Sequence, residues 1–189
     1  MQSPHKPLKN MPDIVTINTI QRITGIIAFT LITLQIFLSS NRKFTKFHML
    51  NGILAYTFIF VHPIMMILYR YSYMGDFDPF YVYTDVCVLC NGEYEHFVNL
   101  GRIAFYLVTI TVLTAKFRDK IHKWVGKNWR KLHILNYLVF YLVSVHAINI
   151  GTDSTNKLFL YFFWFCQIVV LYSITKRVRE YYISRGNVN

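Results

Sequence analysis

Five long runs of apolar residues divide the chain, and short polar or charged segments separate them. The runs cover residues 16–38, 47–69, 100–115, 132–150 and 158–174. About 20 helical residues cross the roughly 30 Å hydrocarbon core of a bilayer, and backbone polar groups in lipid must be hydrogen-bonded internally. The pattern therefore predicts an all-α, polytopic membrane bundle with about five transmembrane helices, in a single domain over residues 1–189.

The composition favours a membrane protein over a soluble one. Of the 189 residues, 54% are hydrophobic and 15% are charged, whereas soluble domains carry about 25% charged residues. A chain of this length is too short for a membrane domain together with a second globular domain. We therefore expect any larger unit that the function requires to be a separate protein.

Most of the basic residues lie in the segments 42–46, 116–131 and 176–185, which share one side of the membrane if the chain crosses it five times. The positive-inside rule places that side in the cytoplasm. We therefore expect a multi-pass protein of the cell membrane with its amino terminus outside and its carboxyl terminus in the cytoplasm. The net charge of +11 then reflects membrane insertion and requires no nucleic-acid partner.

Four of the seven histidines lie in two predicted helices that run in the same direction. His48 and His62 are 14 residues apart on the second helix, and His133 and His146 are 13 residues apart on the fourth. These spacings correspond to rises of roughly 21 Å and 20 Å. His48 and His133 therefore share the inner level, and His62 and His146 share the outer level. Two neutral imidazoles at each level are what two six-coordinate haems require.

Helical geometry fits one of the two spacings better than the other. Fourteen steps of about 100° return to within roughly 40° of the same face, but thirteen steps miss it by roughly 140°. The fourth helix must then be wound more tightly, or bent, or its imidazoles must approach from different sides. Intramembrane histidines also serve in proton pathways. The competing interpretation is therefore a haem-free proton or ion channel or transporter.

Two segments resemble the haem-bearing helices of the ferric reductase-like transmembrane domain family, which includes ferric reductases and NADPH oxidases. Residues 46–63, KFHMLNGILAYTFIFVHP, contain a His, a Gly four residues later, and a second His followed by Pro. Residues 129–146, WRKLHILNYLVFYLVSVH, contain a Trp, then Leu-His, and a second His 13 residues after the first. The segments that begin at Gln21 and Gly101 are similar to neighbouring helices of that family. In the first segment the matching positions are His48, Gly52, His62 and Pro63.

The resemblance implies that the four histidines are axial ligands of two b-type haems, in an oxidoreductase component. Family members commonly have six helices, and many continue into a cytosolic flavin- and nicotinamide-binding domain, which this sequence does not show. The resemblance therefore implies the membrane subunit of a split system, similar to the haem subunits of methionine sulfoxide reductase systems. Electrons would pass from a cytosolic flavoprotein or a quinol to an extracytoplasmic acceptor, such as ferric iron, oxygen, a quinone or a partner protein.

Further residues are candidates for contacts with the haems. Gly52 lies one turn from His48 and would let a porphyrin approach the backbone, although a small residue also suits ordinary helix packing. Haem propionates are anions and need cationic partners. Snorkelling at the membrane interface is the simpler alternative for each such cation. The candidate cations are Arg22 and Arg102 near the outer boundary, and Lys46 and Arg130 near the inner one.

The outer segment between the second and third helices contains Cys87 and Cys90 in the sequence CVLC. A location outside the cytoplasm permits a disulfide. A lone CxxC is equally compatible with inert thiols, and a metal or redox role is a third possibility. The sequence leaves these three alternatives open.

Overall fold

The computed structural model describes residues 13–86, 92–125 and 132–186. Within these ranges the chain is helical and contains no β-strand. Short 3-10 helices at Arg42–Phe44 and Thr152–Thr155 connect longer elements. The α-helices are α1 (Ile14–Ser39), α2 (Thr45–Met74), α3 (Tyr81–Thr84), α4 (Glu93–Lys116), α5 (Arg118–Val125), α6 (Leu135–Ile150) and α7 (Lys157–Gly186).

Helices α1, α2, α4 and α7 are each long and apolar enough to cross a membrane, and α6 is a shorter apolar helix of 16 residues. The prediction of an all-α, multi-pass membrane protein is confirmed at this level by the four candidate spans in the described part of the chain. A fifth crossing by α6 stays a prediction.

Helices α4 and α7 extend beyond the apolar runs that predicted them. Helix α4 begins at Glu93, well before residue 100, and Glu93 and Glu95 lie in its first turn. Carboxylates at this position interact favourably with the positive end of the helix dipole. Helix α7 continues past residue 174 to Gly186, through residues with unbranched charged side chains that favour helix. Hydropathy detects the apolar part of a helix and misses such polar extensions.

The helices α1, α2, α4 and α6 form a ring. Helix α1 packs against α2, and α4 packs against α6, while contacts between α1 and α6 and between α2 and α4 close the ring. Helix α7 packs on its outside against α1. Phe29 of α1 stacks on Phe140 of α6 and on Phe163 of α7, with ring centroids 5.4 and 5.7 Å apart. Apolar packing therefore fixes the middle of the bundle.

Polar contacts mark the two ends of the bundle, which we name the His48 end and the His62 end. At the His48 end, Arg177 of α7 donates a hydrogen bond to the carbonyl oxygen of Ser39, the last residue of α1, at 2.8 Å. At the His62 end, Arg22 near the start of α1 pairs with Asp153 in the second 3-10 helix. The carboxyl and amino ends of α1 therefore lie at the His48 and His62 ends, respectively.

Candidate functional site

The four histidines of the helical bundle lie in two pairs. The imidazole centroids of His48 and His133 are 5.9 Å apart, with the ring planes at 68°. Those of His62 and His146 are 6.5 Å apart, with the planes at 84°. In each pair one imidazole comes from α2, and the other comes from α6 or from the helical residues just before Ile134. These are the same two pairs that depth along the helices predicts.

The separations suit two ligands of one metal atom. A metal–imidazole bond is about 2 Å long and a ring centroid lies about 1 Å behind the bonding nitrogen, so imidazoles on opposite sides of a metal have centroids roughly 6 Å apart. In the described part of the chain no group of three or more His, Cys, Asp or Glu side chains could hold a metal ion. A haem supplies its own equatorial nitrogens and needs only axial ligands. Each pair therefore fits a bis-imidazole haem.

Both imidazoles at the His62 end are oriented by backbone carbonyl groups. The Nδ1 atom of His62 lies 3.0 Å from the carbonyl oxygen of Gln21 in α1. The Nδ1 atom of His146 lies 2.9 Å from the carbonyl oxygen of Phe97 in α4. A carbonyl oxygen can only accept a hydrogen bond, so each Nδ1 carries the proton and donates it. Each neutral ring therefore has the lone pair of its Nε2 available for a metal.

A glycine lies beside each of these two imidazoles. Gly25 follows Gln21 by four residues, and Gly101 follows Phe97 by four residues. A Cβ atom on Gly25 would lie 3.0 Å from Cε1 of His62, and one on Gly101 would lie 2.6 Å from Cε1 of His146. Helices α1 and α4 therefore use the same arrangement, in which a carbonyl group orients the imidazole and a glycine one turn later makes room for it.

At the His48 end, a backbone carbonyl group again orients one imidazole, but the other contacts differ. The Nδ1 atom of His48 lies 3.1 Å from the carbonyl oxygen of Gln35, and its Nε2 lies 3.1 Å from Nε2 of the same glutamine. Asn51 donates to Oε1 of Gln35 at 2.8 Å and so orients the amide. The Nδ1 atom of His133 is buried and has no hydrogen-bond partner among the described residues. A metal bound to Nε2 of His48 would therefore take the place of the Gln35 amide, while the Gln35 carbonyl oxygen could still accept from Nδ1.

The α-helix is interrupted between His133 and His146. Helix α6 begins at Leu135, and a turn at Ile134 separates it from His133. The backbone of Ile134 has φ −65° and ψ −25°, which is still right-handed helical. The side from which each imidazole approaches its haem stays a prediction.

Gly52 faces α1. A Cβ atom on this residue would lie 3.0 Å from Nε2 of Gln35, the side chain that contacts His48. Gly52 therefore permits close packing of α1 and α2 and leaves room for Gln35. Contact between Gly52 and a porphyrin stays a prediction.

Arg22 and Arg102, which were predicted to lie near the outer boundary, have partners within the protein. Arg22 donates two hydrogen bonds to Asp153, one of them from Nε to Oδ2 at 3.0 Å. Arg102 donates to the carbonyl oxygen of Val82 at 3.0 Å and to Oδ1 of Asn99 at 2.8 Å. These contacts tie α1 to the Thr152–Thr155 helix and α4 to α3. A role for either arginine in propionate binding stays a prediction.

The remaining predicted residues are at the His48 end or outside the described part of the chain. Lys46 is exposed in the first turn of α2. Arg130, Cys87 and Cys90 lie outside the described residues.

Sequence reasoning did not single out the groups that surround the imidazoles. Gly25 and Gly101 lie in segments that resemble the family, but a glycine in a membrane helix is common and carries little information by itself. Gln35 is a stronger indication of a functional residue, since it is a polar amide within an apolar run. Arg177 lies in the basic segment 176–185, where a charge indicates topology and does not by itself indicate a ligand.

Comparison with protein-family models found no match, and comparisons with curated proteins and with solved structures found none either. The resemblance to the ferric reductase-like family therefore stays a prediction from the residues quoted above.

Proposed function

We propose that this chain is a membrane haem subunit that transfers electrons across the bilayer. The observation that carries the proposal is the arrangement of four imidazoles in two pairs, with centroids 5.9 and 6.5 Å apart, inside one helical bundle. His48 and His133 would hold one b-type haem, and His62 and His146 would hold the other. When bound, the haems supply one-electron redox chemistry, while the protein binds and orients them.

The depth of the two pairs supports transfer across the membrane. Helix α2 continues through Pro63 without ending, so its two histidines lie roughly 21 Å apart along the helix. Two levels with this separation cover most of a hydrocarbon core that is roughly 30 Å thick. Electron transfer between them requires no side chain to act as an acid, a base or a nucleophile.

We propose five crossings, with α6 as the fourth, an extracytoplasmic amino terminus and a cytoplasmic carboxyl terminus. Lys43, Lys46 and Arg177 lie at the His48 end, and by the positive-inside rule this end faces the cytoplasm. Outward movement of an electron is then favoured by an inside-negative potential, by roughly 2.3 kcal/mol per 100 mV.

The electron donor in this proposal is a separate cytosolic flavoprotein or a quinol. A nicotinamide gives up two electrons as hydride, whereas a haem takes one, and a flavin normally bridges this difference. The acceptor lies on the opposite side of the membrane and is ferric iron, oxygen, a quinone or a partner protein. The chain is thus the membrane half of a split oxidoreductase.

The visible spectrum of the purified protein tests the proposal. Protein expressed with ample haem should show the sharp α and Soret bands of reduced low-spin b-type haem, because each level offers two imidazoles. The pyridine haemochrome assay should approach two haems per chain. Colourless protein would contradict the proposal, and proton conduction by that protein in vesicles would support the channel interpretation instead.

A further inference from the structure

A small cleft lies beside the His48–His133 pair at the His48 end of the bundle. Arg177 is the one charged residue among the described residues that line it. Besides the two histidines and Arg177, the polar lining consists of Gln35, Ser39, Asn136 and Tyr137.

Two buried polar atoms in the cleft have no hydrogen-bond partner in the described part of the chain. They are Nδ1 of His133 and the hydroxyl oxygen of Tyr137. Buried polar groups in folded proteins are nearly always hydrogen-bonded. Two such atoms in one cleft therefore point to a polar ligand that completes it.

Arg177 reaches the cleft from α7. Its Nη2 donates to the carbonyl oxygen of Ser39 at 2.8 Å, and a guanidinium has further N–H donors that can bind a carboxylate. Arg177 is 20 residues beyond Lys157, the first residue of α7, which corresponds to roughly 30 Å. Its charge therefore lies near a membrane boundary, where an anion can reach it at low cost.

Arg177 also differs from the outer arginine of the same bundle. Arg22 already binds the carboxylate of Asp153. Among the described residues, Arg177 has no carboxylate partner. Its guanidinium can therefore bind the acid group of a ligand.

We propose that this cleft binds a carboxylate of the haem held by His48 and His133, and that Arg177 is its cationic partner. The inference rests on the proposed function and adds a ligand contact to it. Tyr137 is placed to donate a hydrogen bond to the same anion, since its hydroxyl is buried in the same cleft.

A structural role for Arg177 must be separated from this one. The hydrogen bond to Ser39 satisfies a carbonyl at the end of α1, and a cation there is favourable to the helix dipole. Loss of Arg177 could therefore weaken the bundle without any contact to a ligand. A ligand that lacks the carboxylates distinguishes the two roles.

The experiment titrates haem-free protein with haem and with haem dimethyl ester, in which both carboxylates are esterified. Soret absorbance reports binding. A His62→Leu background removes the other site, so that only the His48–His133 level is filled. The variants are Arg177→Gln, Arg177→Lys and, as a matched control, Arg179→Gln, which removes a charge that belongs to the same exposed helix segment but does not line the cleft.

Arg177→Gln should weaken haem binding by about tenfold or more, because a hydrogen bond to a charged group is lost. Binding of the ester should change by less than about twofold. Arg179→Gln should leave the binding of both ligands within about twofold, because Arg179 does not line the cleft. The haem affinity of Arg177→Lys should lie between those of wild-type protein and Arg177→Gln, since lysine keeps the charge but loses the bidentate geometry.

Equal losses for haem and ester would show that Arg177 only supports the bundle and would overturn the inference. Unchanged haem binding by Arg177→Gln would overturn it as well. If Arg177→Gln does not fold, Arg177→Lys is compared with wild-type protein on the two ligands, and equal losses would again overturn it. Failure of wild-type protein to bind either compound would overturn the proposed function itself, whereas binding without dependence on Arg177 would overturn only this inference.

Discussion

A Cβ atom on Gly101 would lie 2.6 Å from both Cε1 and Nδ1 of the His146 imidazole. No normal contact is this short, so Gly101→Ala must displace the imidazole or separate α4 from α6. Overpacking of this kind costs about 1–3 kcal/mol. We expect Gly101→Ala to lower occupancy of the haem at the His62 end several-fold. The haem at the other end should remain, as measured by pyridine haemochrome and by redox titration.

Gly25 and Gly52 provide graded controls for that prediction. A Cβ on Gly25 would lie 3.0 Å from the His62 ring, so Gly25→Ala should affect the same haem more weakly. The three atoms nearest to a Cβ on Gly52 all belong to Gln35, so Gly52→Ala should affect the haem at the His62 end least. Equal effects of all three substitutions would indicate general damage to packing and would contradict a specific role for Gly25 and Gly101.

The pairing of imidazoles predicts which substitutions remove the same haem. His62→Leu and His146→Leu should each remove the haem at the His62 end and leave about one haem per chain, since one iron loses an axial ligand in either case. His48→Leu and His133→Leu should each remove the other haem. Redox titration identifies the haem that remains. A His62→Leu protein that resembled His133→Leu would contradict both the pairing and the parallel arrangement of α2 and α6.

This pairing could be predicted from the sequence because the rise of a helix converts residue spacing into depth. The spacing between His48 and His62 matches that between His133 and His146 within one residue. The approximate positions of the membrane helices could also be predicted from the sequence, because the thickness of the bilayer sets the length of an apolar run.

The lateral surroundings of the imidazoles could not be predicted. Gln21 and Phe97 contact histidines 41 and 49 residues away, and these contacts depend on which helices pack side by side. Only the fold shows that α1 lies beside His62 and α4 beside His146. The turn at Ile134 could not be predicted from the sequence either, since the local residues continue the apolar pattern without a glycine or proline.

Arg22 can be tested for a role beyond its ion pair with Asp153. The Arg22 side chain is 45% exposed, and exposed pairs contribute about 0–1 kcal/mol. Asp153→Asn should therefore lower stability only slightly and leave both haem spectra unchanged. If Arg22 also binds a propionate, Arg22→Gln should reduce occupancy at the His62 end while Asp153→Asn does not. Thermal unfolding and haem content measure the two effects, and identical behaviour of both variants would leave the ion pair as the role of Arg22.

The purified chain should not oxidise NADH or NADPH at a useful rate by itself. Its proposed redox groups take one electron at a time, and the sequence contains no Gly-rich phosphate-binding loop for a nicotinamide cofactor. Addition of a flavin reductase or a quinol should reduce the haems, which is measured by absorbance in the α band. Rapid reduction of the isolated protein by NADPH would contradict the split system.

A protein donor should dock on the basic segment 116–131, whose described part includes α5. Lys120 and Lys123 are exposed there, while Lys127 lies outside the described residues. An acidic donor would be steered by such a patch, and its effect should decline as the screening length shortens to about 8 Å near 0.15 M salt. Charge reversal at these three lysines should slow haem reduction about tenfold or more at low salt and leave the haem spectrum unchanged. Reduction rates that depend neither on salt nor on these charges would show that the basic residues serve only the membrane topology.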